Sequence, residues 1–167
     1  MPEEGMNNPF FSEWDTPFGV PPFDEIKESH YLPAFEKGFE EHSQEVQASA
    51  EAGEAPTFDN TVEALERSGG LLTKVSNVFY RAVSADTNDD IQAIAKEVAP
   101  MRSKHRDDIV LNEKLFQRIK VVYDQRDELK LDTEQDRLLE ETYKNFVRGG
   151  ANLNEQDKAA LREINKE

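Results

Sequence analysis

Three features of this sequence predict an all-α fold. Apolar residues recur at steps of three, four or seven in each patterned segment, which puts them on one stripe of a helix. Asn, Thr or Asp stands just ahead of several stripes, where its side chain can cap a first turn. No run alternates apolar and polar residues as a half-buried strand would. The expectation is about six helices in antiparallel hairpins, without internal repeats. A Pro- and aromatic-rich arm occupies residues 1–24, and residues 25–167 make a helical domain.

The arm carries Pro2, Pro9, Pro17, Pro21 and Pro22, interleaved with Phe10, Phe11, Trp14, Phe18 and Phe23. Proline blocks regular helix and biases the residue before it towards extended geometry. Rings in such number are not usually left in water, so the arm is expected to lie across the helices, anchored by its aromatics. A proline-rich ligand for an aromatic groove fits less well, because the spacing is irregular.

The first helix is expected over 29–52, with Tyr31, Leu32, Phe35, Phe39, His42 and Val46 along one side. Pro33 falls in its first turn, where the missing N–H is tolerated, and Gly53 and Pro56 end it. Next comes the strongest stripe, Val62, Leu65, Leu72, Val75, Phe79 and Ala82, with Thr57, Asp59 or Asn60 as cap and Glu63 three residues beyond Asn60. Gly69-Gly70 interrupts this stripe without changing its phase, so one long helix with a weak point is predicted. Phe58, Leu65, Leu72, Val75 and Phe79 are its expected core residues.

Ser84 to Thr87 reads as a turn, and Asn88 as the cap of a helix with Ile91, Ile94, Val98, Met101, His105 and Ile109 inward. Pro100 should kink or restart that helix. Asn112 caps a helix facing inward through Leu115, Phe116, Ile119, Val122 and Tyr123. Thr133 caps another, with Leu138, Leu139, Thr142, Tyr143, Phe146 and Val147, and Gly149-Gly150 close it. Asn154 opens a last helix, in which Leu161 and Ile164 are the strong apolar residues before the sequence stops in mid-pattern.

Charge narrows the function classes. With 35 acidic and 20 basic residues the net charge is -15, which repels a nucleic-acid backbone or an anionic membrane. The 37% hydrophobic content at helical period argues for a fold despite 33% charged residues. Cysteine is absent, so disulfide and thiolate chemistry are excluded. No basic segment leads into an apolar core at the start, and no apolar run approaches the ~18 residues of a membrane span, so a cytoplasmic location is expected.

Candidate chemistry is thin. Asp86, Thr87, Asn88, Asp89 and Asp90, with Glu97 in the twelfth place, imitate a calcium loop, but Ile91 stands where that loop needs glycine. Helix capping by Asn88 accounts for the same residues. His30, His42 and His105 are scattered, and the pairs His42 with Glu45 and His105 with Asp108 are ordinary helix-surface neighbours. Ser68 lies in no nucleophile elbow, and Gly69-Gly70 matches no phosphate loop. No catalytic, cofactor-binding or metal-binding residue is assigned.

Four stretches resemble the N-terminal region of the M3 family of zinc metallopeptidases, the thimet oligopeptidase and oligopeptidase A group: TPFGVPPFDEIKESHYLPAFEKG (16–38), PTFDNTVEALERSG (56–69), ADTNDDIQAIAKEVAP (85–100), and VYDQRDEL followed by ETYKNFVRGGANL. The TPFGVPPF run is most similar to the Dcp type of bacterial peptidyl-dipeptidase. The likeness runs from about Asn8 onward, and it implies a neurolysin- and thimet-oligopeptidase-like helical region. It also implies a zinc peptidase that releases dipeptides from the C-termini of short peptides in a channel between two helical halves. In such enzymes a zinc-bound water attacks the peptide bond with a glutamate as general base. The HExxH motif that supplies two zinc ligands and that glutamate is absent from this sequence, so no catalytic residue carries over. The implied role is one wall of the channel, with zinc, the catalytic domain and the peptide contacts supplied by a longer protein. The alternative is a stand-alone helical module that binds a partner. Far-UV circular dichroism of the chain should be dominated by helix, and a strand-rich spectrum would overturn the fold class.

Overall fold

The structure, a computed structural model, describes residues 8–85 and 87–166. Six helices of ten or more residues account for most of them: α1 Glu28–Ala50, α3 Gly70–Ala85, α4 Asp89–Val110, α5 Glu113–Asp124, α6 Thr133–Arg148 and α7 Glu155–Ile164. A π-helical turn, Phe58–Glu63, leads into the short α2, Ala64–Arg67. Among the described residues there is no strand, so the fold is all-α. The chain divides into two compact units, one running to His42 and resuming over Gly69–Met101, the other comprising Ser43–Ser68 and the chain from Arg102.

The first unit is built on aromatic rings. Phe79 is fully buried and meets Tyr31, Phe35 and Tyr80 edge-on, with ring centres 5.1, 5.2 and 5.3 Å away. Edge-to-face packing suits the ring quadrupole and adds about 0.5–1.5 kcal/mol per pair beyond the area buried. Val75, Val78, Ile91 and Val98 fill the rest of this core. Contacts advance from Tyr31 to Gly38 on α1 as they retreat from Phe79 to Leu72 on α3, so these two helices run antiparallel.

The arm is only partly anchored in this core. Pro2 lies outside the described residues. Phe10 is buried against Tyr31, Phe11 and Trp14 are half-buried, and Lys74 donates to the carbonyls of Phe10 and Ser12 while standing 4.2 Å over the Trp14 ring. Phe18 and Phe23 depart from the expectation, the first fully exposed and the second 60% exposed. Pro17, Pro21 and Pro22 hold the backbone in tight turns that leave the Phe18 ring in solvent, while Phe23 lines a shallow cavity beside Tyr31 and Ile91.

The second unit has two smaller apolar clusters. Leu115, Phe116 and Ile119 pack with Phe146, Val46 and Ala50, and Phe58 and Val62 pack with Val122 and Leu139. Phe116 stacks on Tyr143 and Phe146, and Tyr123 lies 3.9 Å from Tyr143. That order makes α5 and α6 an antiparallel hairpin.

The predicted long helix through Gly69-Gly70 does not form. Ser68 is extended with ψ 162, Gly69 takes φ +73, and helix resumes at Gly70. A Cβ on Gly69 would stand 2.9 Å from Nδ1 of His42. The uniform phase of the stripe conceals that Leu65 joins the core of one unit and Leu72 that of the other. Phe58, Val75 and Phe79 are buried as expected, whereas Leu65 and Leu72 are half-buried at the edges of their clusters.

Capping follows local chemistry with two corrections. Asn88, Asn112 and Asn154 accept from the backbone N–H groups of Ile91, Leu115 and Asp157 at 2.9, 3.0 and 2.9 Å. Thr57 forms its reciprocal box with Asn60, while Glu63 pairs with Arg67 instead. Asp132 rather than Thr133 caps α6, because its carboxylate reaches the N–H of both Glu134 and Gln135 at 2.9 Å. Helix α4 continues through Pro100 without a restart.

Gly69→Ala should lower unfolding stability by about 1–3 kcal/mol, through backbone strain and the displaced His42 ring. Gly70→Ala, where a Cβ meets nothing within 4 Å, should leave stability unchanged or raise it by about 0.4–1 kcal/mol. Urea denaturation of the two variants checks this, and equal effects would remove the steric basis of the break.

Candidate functional site

The histidines serve separate local ends. His30 Nδ1 accepts from the N–H of Lys27 at 3.1 Å at the start of α1. The His42 ring packs over Gly69 in the first unit. His105 is buried in the second, with Nδ1 3.3 Å from Ser43 Oγ. Asp108 accepts from Lys104 and Arg162, both at 2.7 Å. Among the described residues no three His, Asp or Glu side chains converge as a metal site requires.

The calcium-like stretch is a helix start. Asp86 lies outside the described residues. Asn88 caps α4 and donates to Glu28 at 3.1 Å, and Ile91 is sunk in the first core at 3% exposure. Glu28 is held below the ordinary carboxylate range, first by a backbone hydrogen bond and then by Asn88. Ser68 Oγ donates to the Leu65 carbonyl at 2.6 Å, as an end-of-helix hydroxyl commonly does.

The second unit has a groove of about 530 Å³ whose apolar floor is Val46, Ala50, Ile109 and Leu111. Its rim is charged, and the charges are matched. Lys114 meets Glu51 at 2.8 Å, Arg162 meets Asp108, and Lys158 meets Glu113 at 2.8 Å and Glu155 at 3.2 Å. Hydrogen bonds from Lys114 and Gln47 lower the Glu51 carboxyl, and those from Lys158 and Gln117 lower Glu113. Burial pushes Asp108 up, but hydrogen bonds and charge from Lys104 and Arg162 together outweigh it and leave the group below its ordinary value. Ionised, paired carboxylates of this kind are suited to holding helices together and to contacting a polar ligand. A general base needs a carboxyl left free near neutral pH.

Sequence reasoning missed Arg118, which is 8% exposed. Its guanidinium donates to the carbonyls of Ala52 and Glu54 at 3.0 and 2.9 Å and to Asn60 Oδ1 at 3.2 Å, so it ties the loop after α1 to the cap of the π-helical turn. The signal was its place within the apolar run Leu115, Phe116, Ile119 and Val122, where a solvated face would not lie.

Comparison with known proteins places the chain beside peptidases. It is 40% identical over 160 residues to a dipeptidyl carboxypeptidase of Escherichia coli K12, matching 96% of this chain and 24% of that protein. The same figures hold for the dipeptidyl carboxypeptidase of Salmonella typhimurium. Oligopeptidase A of Escherichia coli K12 is 21% identical over 159 residues, covering 95% of this chain and 23% of its own length. These matches show the likeness to the peptidyl-dipeptidase and oligopeptidase A group. The chain spans about a quarter of the length of the curated relatives it matches. No family model matches it.

The matched rim sets a pH dependence. Glu113 and Asp108 titrate below their ordinary 4.5 and 3.8, so the stability they contribute is whole above those values and is lost as pH falls through the lower folded ones. Lys158 is raised above 10.5, first by its hydrogen bond to Glu113, so its share is whole below 10.5 and is lost as pH rises further. In urea titrations Lys158→Met should lower the midpoint at pH 7 by an effect under about 1 kcal/mol, because Glu113 is more than half exposed. The gap between wild type and variant should narrow from pH 4.5 downward. A gap that stays constant to pH 3 would mean that the Lys158 stem, and not its charge pair, supplies the stability.

Proposed function

We propose that this chain forms the N-terminal part of a longer zinc peptidase that releases dipeptides from the C-termini of short peptides, and that it builds one wall of the substrate channel. The observation that carries this reading is the 40% identity to dipeptidyl carboxypeptidases, sustained over 96% of the chain but only 24% of theirs. In this reading residues 25–167 act as the helical domain and residues 1–24 as its arm. The rest of the peptidase is its partner, and a cysteine-free chain suits a reducing cytoplasm.

Among the described residues the histidines lie apart and Asp108, Glu113 and Glu155 are engaged with Lys or Arg, so no zinc donor set is gathered there. In this reading the metal and the groups that act with it come from the remainder of the longer protein. What this chain contributes is shape and charge. Rigid capped helices exclude folded substrates, and a net charge of -15 turns away nucleic acid and anionic membrane. Among the described residues no helix is long and apolar enough to cross a membrane.

The test is dipeptide release from an N-blocked tetrapeptide. The chain alone, with or without zinc, should release none, and a polypeptide extending it to the length of its relatives should release the C-terminal dipeptide in a chelator-sensitive way. Zinc-dependent release by the isolated chain that survives repurification would overturn the wall assignment. An extended, folded polypeptide that cleaves no peptide would overturn the peptidase reading.

A further inference from the structure

Phe18 combines two features that nothing among the described residues compensates. Its backbone lies in the left-handed region at φ 62, ψ 16, where a bulky side chain is strained, and the residue is fully exposed. A glycine or asparagine would hold the same turn at lower cost. Val20 and Phe23, 48% and 60% exposed, extend the apolar surface beside it.

The loop that presents these residues is stiff. Pro17, Pro21 and Pro22 fix three backbone φ angles. The N–H of Gly19 donates to the Thr16 carbonyl at 3.0 Å, and Thr16 Oγ1 donates to the carbonyl of Val20 at 2.5 Å. Its base is tied down where Trp14 Nε1 donates to the Pro9 carbonyl at 2.9 Å and where buried Pro22 accepts from the N–H groups of Glu25 and Ile26 at 3.0 Å. A stiff loop that holds an aromatic ring in water is already arranged for docking, since little conformational freedom remains to be lost.

Charge decides what it docks into. Glu13, Asp15, Asp24 and Glu25 flank the loop and are exposed. A second copy of this chain would set acid against acid, on a molecule whose net charge is already -15. The partner that fits carries an apolar pocket with a basic rim. Relatives about four times as long as this chain supply a candidate bearer, because some three quarters of such a protein lies outside it. We propose that the loop Thr16–Phe23 is a knob that seats Phe18 in a basic-rimmed apolar pocket on the remainder of the same peptidase, docking this helical part onto the rest. This rests on the peptidase reading given above.

Hydroxyl-radical footprinting with mass spectrometry reads the exposure of Phe18 directly. In the isolated chain Phe18 should be modified at the rate of a free phenylalanine, and in the full-length polypeptide on the order of tenfold more slowly, as expected for an aromatic anchor in a desolvated pocket. Phe18→Gly should keep or raise the melting temperature of the isolated chain while lowering that of the full-length protein. Asp15→Lys with Asp24→Lys should weaken the protection of Phe18. A full-length protein that releases dipeptides yet oxidises Phe18 as fast as the isolated chain overturns the knob and leaves the peptidase reading standing. Protected Phe18 in a full-length protein without peptidase activity supports the knob while the peptidase reading fails. Concentration-dependent protection in the isolated chain, with doubling of its mass, assigns the loop to self-association and overturns the proposed occupant.

Discussion

Gly69 has no room for a side chain, and the two cores depend on that. Its φ of +73 ends the helical path directly after Ser68, and the space a Cβ would take is filled by the His42 ring. Residues Phe58 to Leu65 can then serve the core of one unit while Leu72 to Phe79 serve that of the other. Glycine takes such a turn without steric strain, at little cost beside the burial of rings such as Phe79 and Phe58, each of which removes about 150–250 Å² from water.

Buried Arg118 is compensated differently from buried Lys158, which meets the carboxylates of Glu113 and Glu155. Arg118 sits inside the second unit without a carboxylate among its three hydrogen-bond acceptors, so its cation is stabilised by carbonyl and amide dipoles instead. A buried ion needs such compensation, because losing its water costs several kcal/mol. Its Nε finds no acceptor among the described atoms, and a water is the ordinary occupant of such a position. On the surface the pattern is the reverse. Lys104 with Asp108, Lys120 with Asp124 and Lys144 with Glu140 are exposed pairs one helical turn apart, where solvent screens most of the attraction.

Most helices were legible in the sequence because their signals are local. Asn88, Asn112 and Asn154 each precede an apolar stripe, and the side-chain oxygen that caps the helix is set by those few residues alone. What was not legible depends on residues distant in sequence. The break at Gly69 is decided by His42, the role of Arg118 by the carbonyls of Ala52 and Glu54, and no periodicity reports either. The choice of Asp132 over Thr133 shows a finer limit, since both residues are good caps and only the backbone position of the first turn separates them. The groove in the second unit escaped notice for the same reason, because its floor is assembled from α1 and the end of α4, residues more than fifty apart in the chain.

Two residues in the left-handed backbone region mark opposite relations between strain and packing. At Gly69 the conformation belongs to glycine, and the turn is closed in by its own unit, so cause and compensation are both inside the chain. At Phe18 the same region holds a bulky aromatic residue in full contact with solvent. Strain of this kind persists where surrounding structure or a bound partner over-determines it. The proline-held turns fix the backbone path, but they supply no apolar contact for the ring, and burying such a ring is worth about 1.5–3 kcal/mol. That gain is larger than the strain of a single left-handed residue, about 1–2 kcal/mol, and is not drawn on by the described residues around the ring.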